Sequence, residues 1–264
     1  LMVTVLTPAY NRANTLDNLY YSLQQQTNKN FEWIIIDDGS SDATSDKIEE
    51  YKKNSDFDIV TAFQVNQGKP SAINHGCRLS RCDYILIVDS DDCLTNDAIE
   101  WVLKGIKEAE AEGIEYSGVG FRKSEFNGTL SGIAFDNHSL DHALYLNATD
   151  ASNLLKGEMA FCFKRDLMLK IPFPLHAGEK FVPEGLIWTQ ITDFACVRFY
   201  INKVIYLYGY LDDGLTMNFK KHLKNNYRGF SEYYRNQFYR ESDLLKKGKM
   251  LVRYIQCKYY GMLK

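Results

Sequence analysis

An α/β fold with a mostly parallel sheet flanked by helices is what this 264-residue sequence predicts, and two patterns predict it. Over the first hundred residues, short and wholly apolar runs alternate with segments whose apolar residues recur at helical spacing. Each of the first four runs then ends in a cluster of polar residues. Runs that are apolar throughout suit parallel strands covered on both faces, whereas a half-exposed strand would alternate.

The elements follow in order. Val3 to Leu6 reads as the first strand, and Leu16, Leu19, Tyr20 and Leu23 mark the helix after it. Trp33 to Ile36 is the second strand; Ser40, Ser41 and Asp42 form a helix start signal, followed by Ile48 and Tyr51 on the apolar face. Ile59 to Val65 and Tyr84 to Val88 are the third and fourth strands, with a helix from Ala72 to Leu79 between them. A helix from Asp97 to Glu112, with Ile99, Val102, Leu103 and Ile106 on one face, precedes a strand from Tyr116 to Phe121. The polar stretch from Ser124 to Asn147 has no clear period and reads as a loop or hairpin near the ligand site. A helix from Ala148, a strand from Met159 to Phe163, a loop with Pro172, Pro174 and Pro183, a helix from Pro183 to about Phe194 and a strand from Val204 to Tyr210 complete the pattern. There is no repeat and no low-complexity linker. The simplest partition is one domain over 1–218, with halves at 1–125 and 126–218, and a tail over 219–264.

Composition narrows the classes. With 45% hydrophobic, 25% charged and 14% aromatic residues the chain has a sizeable core, which excludes disorder and disulfide mini-protein scaffolds. No stretch approaches the roughly 18 apolar residues of a membrane span, and the first residues read as a strand, not a leader. Cytoplasmic location is the expectation, and the six cysteines, which include no C-x-x-C pair, read as reduced thiols. The net charge of −3 hides an asymmetry: residues 220–264 hold twelve Lys and Arg against three Asp and Glu, leaving about −12 on the rest. This aromatic, basic tail suits either peripheral contact with an anionic inner membrane face or a helical extension packing its aromatics on the main domain. No nucleic-acid partner is expected.

The carboxyl ends of parallel strands form the ligand crevice of open sheets, so the polar clusters there are the candidates for chemistry. They are Thr7-Pro8-Ala9-Tyr10-Asn11-Arg12, Asp37-Asp38-Gly39-Ser40-Ser41-Asp42, Asn66-Gln67-Gly68-Lys69 and Asp89-Ser90-Asp91-Asp92. Three carboxylates within four residues repel one another unless a cation sits nearby, and a hard divalent ion shared with substrate phosphates meets that need. A carboxylate such as Asp38 can accept from a nucleobase or ribose, and Tyr10 can stack on a base. Gly68-Lys69 opening a helix suits a pyrophosphate. Neither a Walker loop nor a G-x-G-x-x-G is present, which counts against ATPases and dinucleotide dehydrogenases.

In this order and spacing, with Ala72, Asn74 and Gly76 continuing the third cluster, the motifs resemble the family 2 glycosyltransferases over roughly residues 2–125. The resemblance implies the GT-A fold, Rossmann-like, and an inverting, nucleotide-sugar-dependent hexosyl transfer to a hydroxyl acceptor in surface polysaccharide or glycolipid synthesis. It implies a UDP-sugar donor, a saccharide or lipid-linked saccharide acceptor, and Mn²⁺ or Mg²⁺ as cofactor. Carried over, Thr7, Pro8 and Tyr10 border the uracil, with Ala9, Arg12, Gly39, Asn66 and Ser90 beside them at the nucleotide-sugar site. Asp38 accepts from the base, Lys69 sits near the base or diphosphate, Asp89 faces the ribose, and Asp91, the second acid of a D-x-D, holds the metal.

The catalytic base of such enzymes is an acid at a helix start on the acceptor side, often Glu-Asp. Here Gly178-Glu179-Lys180 and Pro183-Glu184-Gly185-Leu186-Ile187-Trp188 resemble that region, with Gly185 where the second acid is expected. Glu184 is the base by this reading, with Glu179 or Asp193 as substitutes. Trp188, one turn later, is the candidate to stack on an acceptor sugar. Tyr208-Gly209-Tyr210 and Asp212-Asp213-Gly214-Leu215-Thr216 resemble a loop closing near the donor, and His222 is a candidate to approach the metal or diphosphate. Gly185 also motivates an alternative, a nucleotide-sugar-binding or scaffolding protein whose catalytic half has decayed.

Overall fold

The structure, a computed structural model, describes residues 1–136, 139–209 and 219–263. The N-terminal half runs β1 (Val3–Ala9), α1 (Leu16–Gln24), β2 (Phe31–Asp37), α2 (Thr44–Asn54), β3 (Asp58–Phe63), α3 (Lys69–Leu79) and β4 (Tyr84–Ile87). It continues with β5 (Cys93–Leu94), α4 (Ala98–Glu112), β6 (Gly118–Glu125), β7 (Ala143–Leu146), α5 (Ala148–Leu155), β8 (Met159–Lys164), α6 (Arg165–Lys170), α7 (Gly185–Thr192) and β9 (Val197–Tyr208). The tail forms α8 (Phe219–Asn225), α9 (Tyr227–Arg240) and α10 (Leu244–Met262).

The strands share one sheet in the order β3-β2-β1-β4-β8-β6-β9-β5, with β7 paired to β9. β1 pairs in parallel with β2 and β4, and β2 with β3, so the expected parallel sheet is present across the first four strands. Because β2 lies on one side of β1 and β4 on the other, the carboxyl ends of β1 and β4 flank a topological switch point, where an open sheet leaves a crevice. Beyond β4 the sheet is mixed: β8 is antiparallel to β4 and β6, while β6 and β9 are parallel.

Alternating side chains divide the core. Val5 and Trp33 face the layer of Leu16, Leu19, Tyr20 and Ile99, while Leu6, Ile34 and Ile36 face that of Ala72, Ile73, Leu186 and Ile187. β9 begins seven residues before the strand read from the sequence, because its early polar residues have partners: Arg198 pairs with Glu108 and Glu112, and Lys203 with Asp97. β7 lies within the stretch read as loop or hairpin, and Ser124 bridges Leu130 to make a hairpin there.

The tail is joined to the body. The Glu179 carboxylate accepts from the backbone N–H groups of Arg228 and Gly229 at the start of α9, and Asn226 Oδ1 accepts from Lys180 N at 2.9 Å. Phe230 and Tyr234 of α9 are buried with Leu223 and Cys257. Most tail aromatics therefore pack, chiefly among the tail helices themselves with Phe181 of the body beside them. Among the described residues no helix is long and apolar enough to cross a membrane.

Candidate active site

The loops after β1 and β2 are laced together. Asn11, at φ 52°, presents its amide to Ser40 Oγ and its side-chain oxygen to Ser41 N; Arg12 N donates to Thr44 Oγ1 and Ala13 N to Asp42. Asp37 turns inward and accepts from Ser40 N and Ser45 Oγ. Gly39, at φ +79°, packs so tightly on the Asn66 backbone that a Cβ would stand 2.8 Å from its nitrogen.

Asp38 holds the next loop in place. Its carboxylate accepts from Gln67 N at 2.9 Å, Gly68 N at 2.7 Å and Gln64 Nε2 at 2.8 Å. Gly68 has φ +91°, and a Cβ there would lie 2.1 Å from the Lys180 carbonyl oxygen, so glycine alone lets this loop approach the 178–181 segment. The turn delivers Lys69 to the first position of α3.

Lys69 joins the two halves of the molecule. Its ammonium lies 2.6 Å from Asp89 at the end of β4 and 2.7 Å from Glu184 at the start of α7. Burial pulls its pKa down, but the two carboxylates outweigh that and hold it above the usual lysine value. Asp89 shows the converse: burial raises its pKa, and Lys69, with Lys123 and Arg12, brings it below the ordinary carboxylate range. Burial and the Asp89 charge push Asp91 up and Asp92 up to about 7. Tyr206 of β9 braces the acidic turn, donating to Asp92 Oδ2 at 2.8 Å and accepting from Asp89 N at 3.0 Å.

A cavity of about 860 Å³ opens over this constellation. Pro8, Ala9, Tyr10, Asn11 and Arg12 line it from the end of β1, Asp38 from β2, Asn66, Gly68 and Lys69 from the loop into α3, and Asp89, Ser90 and Asp91 from β4. Ten of the expected residues thus meet in one place. Asn66 Oδ1 is buried without a partner among the described residues, an unmatched acceptor on the cavity wall. Tyr10, 47% exposed, leaves its ring open to the crevice.

Four expected residues lie elsewhere. Thr7 is fully buried, its hydroxyl accepting from Trp33 Nε1 at 3.0 Å; a threonine on the strand itself points into the core. Gly39 supports Asn66 from outside the cavity. Glu184 stands behind Lys69, not on the lining. Trp188 packs among Phe161, Phe163 and Phe173, with ring centroids 5.1 to 6.4 Å apart, so its indole is core packing where an acceptor-stacking face was expected. The substitutes for the base are engaged as well: Glu179 caps α9, and Asp193 pairs with Arg240. Gly185 faces Tyr233, whose ring a Cβ would meet at 3.2 Å. Tyr210, Asp212, Asp213, Gly214, Leu215 and Thr216 lie outside the described residues.

A second wall comes from Gly178 and Lys180, which the sequence reading assigns to the base region, with Phe181, and from His222, a candidate there, with Asn225 and Asn226 at the end of α8; Phe181, Asn225 and Asn226 were missed. These come from two segments remote from the strand-end motifs, and the adjoining basic character of 220–228 was the one available signal. A divalent cation fits the acidic turn. Asp91 offers hard oxygen donors on the cavity wall, and its charge, disfavoured by burial and by Asp89, is one that such an ion stabilises. No cluster of three His, Cys, Asp or Glu ligands is assembled among the described residues, and substrate phosphate oxygens would have to complete the coordination of such an ion.

A crevice at the switch point of a parallel sheet, closed by an acidic turn and by a helix start carrying a carboxylate, defines the GT-A class of glycosyltransferases. A family model described as "Glycosyl transferase family 2" matches residues 4–170, and the chain belongs to that family. Glycosyltransferase GlyA of Streptococcus pneumoniae serotype 4 is 29% identical over 213 residues, covering 78% of this chain and 30% of its own length. A poly-beta-1,6-N-acetyl-D-glucosamine synthase of Staphylococcus epidermidis is 34% identical over 106 residues, covering 40% of this chain and 26% of its own. The chain thus spans less than a third of these curated relatives. Among solved structures, S. aureus TarS 1-349 in complex with UDP-GlcNAc superposes with a TM-score of 0.70 at 16% identity, covering 98% of this chain and 73% of that one. The mannosyltransferase PcManGT from Pyrobaculum calidifontis, in complex with GDP-Man and Mn²⁺, gives 0.60 at 18% identity over 88% and 64%.

Proposed function

We propose that the chain transfers a sugar from a UDP-sugar to a hydroxyl of a saccharide or lipid-linked saccharide acceptor, by one in-line displacement with inversion. The observation that carries this reading is the junction at Lys69, which lines the cavity with Tyr10, Asp38, Asp89 and Asp91 and ties Asp89 to Glu184 directly behind it. The curated relative named as a poly-beta-1,6-N-acetyl-D-glucosamine synthase and the UDP-GlcNAc complex of the TarS neighbour support the donor class.

Each residue has a part. Tyr10 stacks on the uracil. Asp38, with three of about four lone-pair sites committed to its loop, keeps one for a base N–H. Asn66 Oδ1 accepts a donor hydroxyl or N–H, and Asp89 a ribose hydroxyl. Lys69 and the α3 N-terminus favour the diphosphate. Glu184 takes the proton of the acceptor hydroxyl as its oxygen attacks the anomeric carbon, and the bond from that carbon to the diphosphate breaks, its electron pair leaving with UDP. Mn²⁺ or Mg²⁺ held by Asp91 supplies neutralisation of the charge that develops on the leaving group.

Thermal shift with UDP and Mn²⁺, on the chain and on Asp91→Asn, tests the reading. UDP raises the melting temperature of both, and Mn²⁺ adds to the rise only where Asp91 is intact. No rise with any nucleoside diphosphate overturns the function, and an equal Mn²⁺ increment in both proteins overturns the metal role.

A further inference from the structure

α10 is amphipathic in an unusual sense, because both its faces are apolar. Met250, Tyr254, Cys257 and Tyr260 pack on α8 and α9 around Leu223, Phe230 and Tyr234. On the opposite side Leu244, Leu245, Leu251, Val252, Ile255, Tyr259 and Met262 are 42% to 83% exposed. At 3.6 residues per turn these seven fall within an arc of roughly 120°. They form one stripe along the helix.

Charge frames the stripe. α10 carries Lys246, Lys247, Lys249, Arg253 and Lys258 and no acidic residue over its nineteen positions. On the same wheel Lys247 and Lys258 flank one border of the stripe, and Lys249 and Arg253 lie toward the other. Long lysines beside an apolar face can bury their methylenes in hydrocarbon while their ammonium groups stay at the level of anionic headgroups. With five cations the helix lies on a bilayer, not across it. A second copy of the same surface would bring these cations together, so its own charge opposes self-association.

We propose that α10 is a docking surface for an anionic lipid bilayer, with Leu251, Val252, Ile255 and Tyr259 entering the headgroup boundary. The inference stands apart from the assigned reaction, for it rests on no residue of the cavity. The tail aromatics are mostly spent on packing, and the inserting face is the stripe of α10.

The test is sedimentation of the full chain with phosphatidylcholine vesicles containing no anionic lipid or about 30% phosphatidylglycerol, compared with a Val252→Asp/Ile255→Asp variant. Both positions are exposed, so the variant keeps its melting temperature. The unmodified chain sediments with the anionic vesicles and not the neutral ones, about 0.5 M salt weakens the binding, and the variant binds about tenfold less or worse. Equal partitioning of the two proteins, or no binding to anionic vesicles, overturns the proposal. So does a salt-stable dimer that the variant abolishes, which would assign the stripe to a second copy of the chain.

Discussion

The Lys69 ammonium stands 2.7 Å from Glu184 and 2.6 Å from Asp89, so a single cation links the first turn of α3 to the end of β4 and to the start of α7. Asp38, through the backbone of Gln67 and Gly68, fixes where that lysine emerges. The cavity wall and the carboxylate proposed as the base are therefore mechanically one unit.

Replacing Lys69 with Met leaves two carboxylates facing each other at reduced exposure. Transfer activity is expected to fall by about 100-fold or more, and unfolding free energy by about 1–3 kcal/mol. Lys69→Arg, which keeps the charge, recovers part of both. Steady-state kinetics and urea titration read the two effects.

Asp38→Ala removes the acceptor of two backbone amides and of the Gln64 side chain. The loop into α3 loses its anchor, so UDP affinity is expected to drop by about tenfold or more, with a stability loss of about 1–3 kcal/mol. Calorimetric titration of UDP checks the first and thermal unfolding the second. Asp38→Asn, which keeps one acceptor oxygen, falls between.

Trp188→Ala separates two readings of one residue. An indole packed on Phe161, Phe163 and Phe173 is a core group, so its removal costs about 3 kcal/mol. The acceptor KM of the folded fraction stays unchanged. A raised acceptor KM at unaltered stability would restore the stacking role.

Glu32 supplies a pH-dependent term remote from the cavity. Burial raises its pKa, but hydrogen bonds from Thr4, Arg81 N and Arg81 Nε outweigh that and bring it below the usual glutamate value. A depressed folded-state pKa gives stability that is fully present above the unfolded-state value of about 4.3 and lost as pH falls through the lower folded-state value. Glu32→Gln should therefore melt below the native chain at neutral pH, and the difference should close as pH drops below about 4. Melting curves across that range check it.

The strand-end clusters were legible because sheet geometry places neighbours in sequence as neighbours in space. Tyr10, Asp38, Lys69, Asp89 and Asp91 each follow an apolar run by a few residues, and parallel pairing carries them to one edge. Thr7 misled because the motif starts while the chain is still in β1. The direction of β8 was not legible, since a buried apolar run reads alike in a parallel or an antiparallel strand. The pairing of Lys180 with Asn226 was hidden for another reason: the two segments meet through a few backbone-to-side-chain hydrogen bonds and a shared packing layer, and neither leaves a periodic trace.

Glu184→Gln tests the central claim most directly. The amide keeps the shape of the side chain and cannot take the acceptor proton, so UDP release in the presence of a UDP-sugar and a saccharide acceptor should fall by a factor of about 100 to 10,000 while UDP binding persists. Undiminished sugar transfer by that variant would contradict the account.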